Sequence, residues 1–286
     1  MKAVYCRNHL EFAMNLAFVI YRYFPHGGLQ QDLEKIVCEA ISRGHKVTIF
    51  AGEWQGPRIP FANLEILRPA GLTKSEKIAS FELKAFRRFA RKKFDAVIGF
   101  MLMRGLDVFF AGNDAFPVEL PKPAFWHRIL SPHYRIELKQ EREVFSPHAK
   151  TKILHLTESQ KREFIRVYHT PEERFHLLPP GISEDRRRPD DRKKLEKIRE
   201  DIRKEFHLEQ DNLLLLQVAC NFTDQGVDRT LQAFAALPDT LGSRCRLLIA
   251  GSDISGARFE KLARKLKITG RTTFTGWRDD IGNLMF

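Results

Sequence analysis

Three short stretches of the chain carry residue types suited to holding a phosphate. Gly27-Gly28 separates the apolar run Leu16-Ala-Phe-Val-Ile-Tyr21 from an amphipathic stretch beginning at Leu29. A backbone without Cβ at a helix start lets amides approach an anion, and the helix dipole favours negative charge there. The same pair also suits a plain tight turn. Leu178-Pro179-Pro180-Gly181-Ile182, followed by Asp185-Arg186, ends another apolar run, at the strand end where ligands of parallel sheets bind. Pro-Pro-Gly is equally a stiff linker. The third stretch, Gln217-Val-Ala-Cys-Asn-Phe-Thr-Asp-Gln225-Gly226-Val-Asp228-Arg229, joins the apolar run Leu213–Ala219 to a helical pattern.

Other chemistries lack their residues. His127, His133, His148 and His155 are scattered without the spacing of a zinc site, and no structural metal is expected. No G-x-S-x-G elbow supports a hydrolase, and no nucleic-acid-binding module is recognisable.

Elements able to position the glycine stretches alternate along the chain. Strands are predicted at 16–21, 46–50, 64–67, 96–100, 108–111, 152–157 and 175–178, with helices after Gly28 and near 75–93, 134–145 and 158–168. A second series has strands at 213–219, 246–250 and 272–275, and helices at 227–237 and 258–266. Such alternation implies parallel sheets covered on both faces. Between the series, residues 184–205 hold 18 charged side chains of 22, ten Lys/Arg against eight Asp/Glu, which reads as a solvated linker helix. The expected division is therefore 14–183, a linker at 184–205, and 206–286. Met14 directly precedes the first strand, so residues 1–13 are expected to be an upstream extension.

With 286 residues, 43% of them hydrophobic and 23 of them Phe, the chain can bury two small cores. Its net charge of +12 suits a phosphate-bearing partner without selecting one. The four cysteines form no C-x-x-C pair and fit a reducing, cytoplasmic compartment. No run is long and apolar enough to span a membrane, so any membrane contact is expected to be peripheral.

Taken together and in order, Tyr23-Phe-Pro-x-Gly-Gly-Leu-Gln30, Asp32, Arg43-Gly-His45, Gly99-Phe100, Gly105-Leu-Asp-Val108, Leu178-Pro-Pro-Gly-Ile182 and Gly226-Val-Asp-Arg229 resemble the lipopolysaccharide core heptose-I glucosyltransferases. These belong to glycosyltransferase family four, with the GT-B fold. The resemblance spans residues 15–286 and implies two Rossmann-like α/β domains, the second incomplete here. It also implies a retaining transfer of glucose or a related hexose from a UDP-sugar to a heptose of the lipopolysaccharide inner core, with no obligatory metal or other cofactor. By the same resemblance, Gly27, Gly28, Arg186, Gln225 and Gly226 would face the donor diphosphate, and Asp32 and Asp107 would act nearer the acceptor or sugar.

Two departures bear on catalysis. The basic pair that the family places before Gly226 is Asp224-Gln225 in this chain, and the chain ends before the family's E-x7-E segment, whose glutamates bind ribose and sugar. The alternative reading is a catalytically inactive, C-terminally truncated, membrane-associated remnant. Between Phe109 and Lys139, the residues Phe116, Phe125, Trp126, Ile129 and Tyr134 interleave with Lys122, Arg128, Arg135 and Lys139. That mixture suits an anionic membrane surface at the inner face of the cytoplasmic membrane, though the aromatics could equally be core. The helix near 75–93, with eight Lys/Arg between Lys74 and Lys93, would add to a positive face or be an ordinary amphipathic helix.

Overall fold

The computed structural model describes residues 13–25, 27–112, 132–181, 186–253 and 255–286. Within them the chain divides into two compact units, Met1–Pro180 and Gly181–Phe286. The expected extension at 1–13 and most of the aromatic and basic positions of Phe109–Lys139 lie outside the described residues.

The first unit is a doubly wound sheet. Its seven strands are β1 (Asn15–Tyr23), β2 (Lys46–Trp54), β3 (Asn63–Ile66), β4 (Ala96–Gly99), β5 (Val108–Ala111), β6 (Lys152–His155) and β7 (Phe175–Leu177), all parallel, in the order β3-β2-β1-β4-β5-β6-β7. The order reverses between β1 and β4, and ligands of such sheets bind beyond the carboxyl ends of the strands at that switch. Helices α1 (Gly28–Ser42), α2 (Lys74–Arg91), α3 (Pro132–Phe145) and α4 (Glu158–Tyr168) accompany the sheet.

Burial along β1 accounts for its unbroken apolar run. Leu16, Phe18 and Ile20 pack with Leu33, Val37 and Ala40 of α1, while Ala17 and Val19 join the cluster containing Phe81 and Ala85 of α2. A strand covered on both faces has no solvent-facing position to make polar. The phenylalanines fill the second cluster, with Phe145 stacked on Phe164 at 3.9 Å and edge-on to Phe109 at 5.7 Å. Arg174 is buried there without a carboxylate partner among the described residues. Its guanidinium donates to the carbonyls of Thr151 (2.9 Å), Ser146 (2.8 Å) and Val144, so it tethers the end of α3 to the start of β6. Burial lowers its pKa from the ordinary arginine value.

The second unit has a three-stranded parallel sheet, β8 (Leu213–Val218), β9 (Cys245–Ala250) and β10 (Thr272–Gly276), in the order β10-β9-β8. Its helices are α5 (Arg192–Glu205), α6 (Val227–Ala235), α7 (Asp239–Gly242), α8 (Gly256–Lys265) and α9 (Ile281–Leu284). Leu247 and Ile249 of β9 pack with α6 and α8, and Leu248 and Ala250 pack with Ile202 of α5 and with α9. The charged segment expected to be a solvated linker is thus corrected in part. Leu195, Ile198 and Ile202 recur at helical spacing within the charges, and Leu195 and Ile202 are buried in the second unit. Strand β8 lies at the sheet's edge, where Leu213, Leu215 and Val218 stay 42–46% exposed.

Candidate site at the carboxyl ends of two parallel sheets

At the end of β1, Tyr23 is held beneath the glycine loop. Its ring stacks on Trp54 at 3.8 Å and its hydroxyl donates to Glu34 Oε2 at 2.9 Å. Burial, then the hydrogen bond to Glu34, pushes the phenol pKa above its ordinary value, so Tyr23 stays a neutral donor at physiological pH. The chain then turns through Phe24, Pro25 and Gly27 into α1, whose N-terminus has no side-chain cap. Gly27 has an ordinary extended backbone. It is required to be small because a β-carbon there would lie 1.9 Å from Gln30 Oε1. Gln30 folds back, buried, and donates from Nε2 to the carbonyl of Arg22 at 3.1 Å. Beside it, a β-carbon on Gly28 would meet nothing within 4 Å. The start of α1 is therefore uncrowded and uncapped, and the free amides of a helix's first turn can receive an anion.

Asp32 follows one turn later and is half-buried. Desolvation raises its pKa above the ordinary carboxylate value, and Lys35 pulls it part of the way back. A carboxylate made less willing to ionise beside an anion-receiving helix start is suited to exchange a proton or accept a hydroxyl.

Asp107 is not brought to this place. It precedes β5, and its carboxylate accepts from the amide of Val97 at 2.8 Å, near the start of β4. Strands rise about 3.3 Å per residue, so the length of β4 and β5 separates it from the carboxyl ends. The expectation that Asp107 acts on substrate is corrected. Its carboxylate caps the amino end of the sheet.

In the second unit the loop after β8 carries Gln225 and Gly226. Gly226 adopts a left-handed backbone, φ 69°, directly before α6, and a β-carbon there would strike the Arg229 guanidinium at 2.6 Å. Gln225 turns inward. Its Oε1 accepts from the amides of Cys220 (2.7 Å) and Asn221 (3.2 Å), and its own carbonyl accepts from Gln217 Nε2 at 3.0 Å. Asp224 accepts from Asn221 Nδ2 at 2.5 Å. The loop's amides are therefore engaged by its own side chains. A lysine side chain at 225 has no acceptor and could not receive the Cys220 and Asn221 amides.

Three residues of this loop cluster went unnoticed in the sequence. Asp253, after β9, accepts from the amides of Phe222 (2.6 Å) and Ser255 (2.6 Å) and from the Ser255 hydroxyl, which together hold its pKa below the ordinary value. Gly251 has φ 129°, and a β-carbon there would lie 1.8 Å from the Ala219 carbonyl oxygen. Trp277, 42% exposed, follows β10 directly. The Gly-Ser-Asp-x-Ser run at 251–255 is a turn-and-cap signal that points to the first two, while Trp277 carried none.

Arg186 lies in the second unit with its Nε buried and without a hydrogen-bond acceptor among the described residues. The rest of its motif, from Ile182 through Asp185, is outside the described residues, as are His26, His127 and Trp126. Gly27, Gly28 and Asp32 are thus gathered at one strand end of the first unit, and Gln225 and Gly226 at one strand end of the second. Among the described residues no group of three or more His, Cys, Asp or Glu converges as a metal site, and no helix is long and apolar enough to cross a membrane.

Comparison with known proteins adds a family to this geometry. The family model described as Glycosyl transferases group 1 matches residues 198–285. The chain is 33% identical to the lipopolysaccharide glucosyltransferase WaaG of Escherichia coli (strain K12) over 273 residues, covering 95% of this chain and 72% of that protein. The crystal structure of WaaG, a glycosyltransferase involved in lipopolysaccharide biosynthesis, is similar with a TM-score of 0.85 at 33% identity, covering 94% of this chain and 72% of that one. The Anabaena protein HepE, in complex with UDP and glucose, is similar in fold alone, with a TM-score of 0.68 at 13% identity, covering 95% of this chain and 71% of that one.

Proposed function

Because this chain belongs to the family of the lipopolysaccharide glucosyltransferase WaaG, among the group 1 glycosyltransferases, we propose that it moves glucose, or a related hexose, from a UDP-sugar to a heptose of the lipopolysaccharide inner core, retaining the anomeric configuration. The observation that carries this reading is the 33% identity maintained over 95% of the chain, through both units. Breaking the donor's glycosidic bond leaves charge on the departing diphosphate, which must be met by preorganised donors or cations. The uncapped start of α1 at Gly28 in the first unit, and the Nε of Arg186 in the second, are each by themselves a group of the kind able to do so. In this reading amides and a guanidinium take that role, and no metal is invoked. Asp32, nearer the acceptor in this reading, would orient or accept from the attacking hydroxyl.

The acceptor is lipid-linked, and the aromatic and basic mixture between Phe109 and Lys139 suits peripheral contact with the inner face of the cytoplasmic membrane. A second reading, a chain of this family with little or no turnover, is favoured by Gln225. Its side-chain Oε1 occupies two loop amides where, by the resemblance, the family places a cation, and one preorganised donor is worth about 2.7–4 kcal/mol.

Calorimetric titration with UDP-glucose of the natural chain and a Gln225→Lys variant, followed by turnover on acceptor lipid, tests both. Saturable binding and transfer by the natural chain are expected, with faster transfer by the variant. Binding without transfer in either would support the second reading. No binding in either would overturn the first.

A further inference from the structure

Helix α2 has a face that the transfer reaction leaves without a role. Phe81 and Ala85 are buried beneath the helix, whereas Lys84, Arg87, Arg88 and Arg91 recur along one flank of it at three- and four-residue spacing, all exposed. Like charges at these spacings repel, and the arrangement weakens the helix that carries it. The helix dipole offsets this only for Arg88 and Arg91, in the last turn. Arg68 joins them from the segment after β3, and Lys84 Nζ donates to its carbonyl at 2.7 Å. These five cations, with Ile66 and Leu67, line an open groove of about 570 Å3, and no carboxylate is among its described lining residues. The nearby Glu65 engages Lys92 and, at 4.0 Å, Arg88. Arg68, Arg87 and Arg91 have no acidic partner among the described residues.

The same edge of the sheet exposes large apolar side chains. β3 is an edge strand; Phe61, two residues before it, is 93% exposed, and Leu72, six residues after it, is 97% exposed. Phe61 holds a left-handed backbone, φ 63°, a conformation that costs a bulky residue energy and here puts a bare ring into solvent. A soluble polyanion would use the arginines and gain nothing from Phe61 and Leu72. The interfacial region of an anionic bilayer uses both, since phosphates meet guanidinium groups while aromatic and aliphatic side chains enter the headgroup layer.

We propose that the edge formed by β3 and the exposed stripe of α2 docks on an anionic phospholipid bilayer, with headgroup phosphates in the arginine groove and Phe61 and Leu72 in the interface. This surface uses none of the residues from Phe109 to Lys139 and requires no transferase activity.

The test is co-sedimentation of the full chain with vesicles of phosphatidylcholine alone or mixed with phosphatidylglycerol. Binding to the mixed vesicles only is expected. Arg68→Glu/Arg87→Glu/Arg91→Glu should weaken it by more than about a hundredfold, near fivefold for each cation lost, and Phe61→Ser/Leu72→Ser should weaken it with the charges intact. All five side chains are exposed, so unchanged melting curves verify the fold. If the glutamates disturb it, Arg→Gln at the same positions repeats the test. The proposal is overturned by equal binding to neutral vesicles, or by an arginine variant that binds like the natural chain while Trp126→Ala does not. It is also overturned by binding that a soluble polyphosphate abolishes and Phe61→Ser/Leu72→Ser leaves untouched.

Discussion

The turns after β1 and after β8 are built to the same plan and differ in one atom's use. Each runs from a parallel strand through a glycine into a helix, and each folds a glutamine back on itself, Gln30 in the first and Gln225 in the second. Gln30 spends its amide nitrogen on the Arg22 carbonyl and leaves the first turn of α1 open. Gln225 spends its amide oxygen on the backbone amides of Cys220 and Asn221, which closes them to any other acceptor. A side-chain amide can therefore brace an anion loop or fill it, according to which end faces the backbone. From the residue types alone the two turns are indistinguishable.

The glycines of the two regions offer the largest test of this comparison. At Gly27 the atoms that a β-carbon would strike are the end of the flexible Gln30 side chain and the edge of the exposed Phe24 ring, whereas at Gly251 it is the Ala219 backbone carbonyl, and Gly251 also has a left-handed φ. Gly251→Ala is expected to destabilise the second unit by more than about 3 kcal/mol, through backbone strain and a clash that no rotamer relieves. Gly27→Ala should cost about 1 kcal/mol, chiefly the Gln30 hydrogen bond. Urea denaturation of both variants measures the difference. Equal losses would mean that Gln30 is as immovable as the backbone, and the contrast between the turns would fail.

A smaller effect separates the glutamines. Gln225→Ala frees two amides, and UDP binding is expected to tighten about fivefold, the equivalent of one hydrogen bond of about 1 kcal/mol, while stability falls by a similar amount. Gln30→Ala frees no backbone amide and should not tighten UDP binding. Titration with UDP decides. Weaker binding by Gln225→Ala would mean that the glutamine shapes the loop for its ligand instead of occupying it.

What could be read beforehand follows physical lines. β1 and β9, covered on both faces, show the unbroken apolar runs Leu16–Tyr21 and Leu247–Ala250, and the glycine turns stand between a strand period and a helix period. α5 reads as a solvated linker in the sequence because 18 charges in 22 residues outweigh Leu195, Ile198 and Ile202, although their spacing is helical. Asp253 could not be connected to the loop after β8, since Phe222 lies 31 residues away in sequence. Asp107 was legible and misassigned. A strand expected to begin at Val108 already puts the preceding residue at the amino end, away from where a parallel sheet binds ligands.

That misassignment gives the finest test, because the two aspartates once grouped as catalytic now occupy opposite ends of one sheet. Burial raises the folded-state pKa of Asp32 above its unfolded value. The group therefore stabilises the fold when protonated, below the unfolded pKa, and that contribution is lost as pH rises through the folded pKa. Asp32→Asn is accordingly expected to melt slightly higher than the natural chain at pH 7, with the gap closing in acid, and to transfer sugar more slowly. Asp107→Asn keeps an acceptor for the Val97 amide and should leave transfer within about twofold, since the residue acts on the sheet and not on the substrate. Melting curves at pH 4 and pH 7 beside initial rates separate the two roles. If Asp107→Asn slows transfer without lowering stability, the carboxylate reaches the reaction after all. If Asp32→Asn lowers stability at pH 7, its charge is compensated in the fold and its burial is not a cost borne for chemistry.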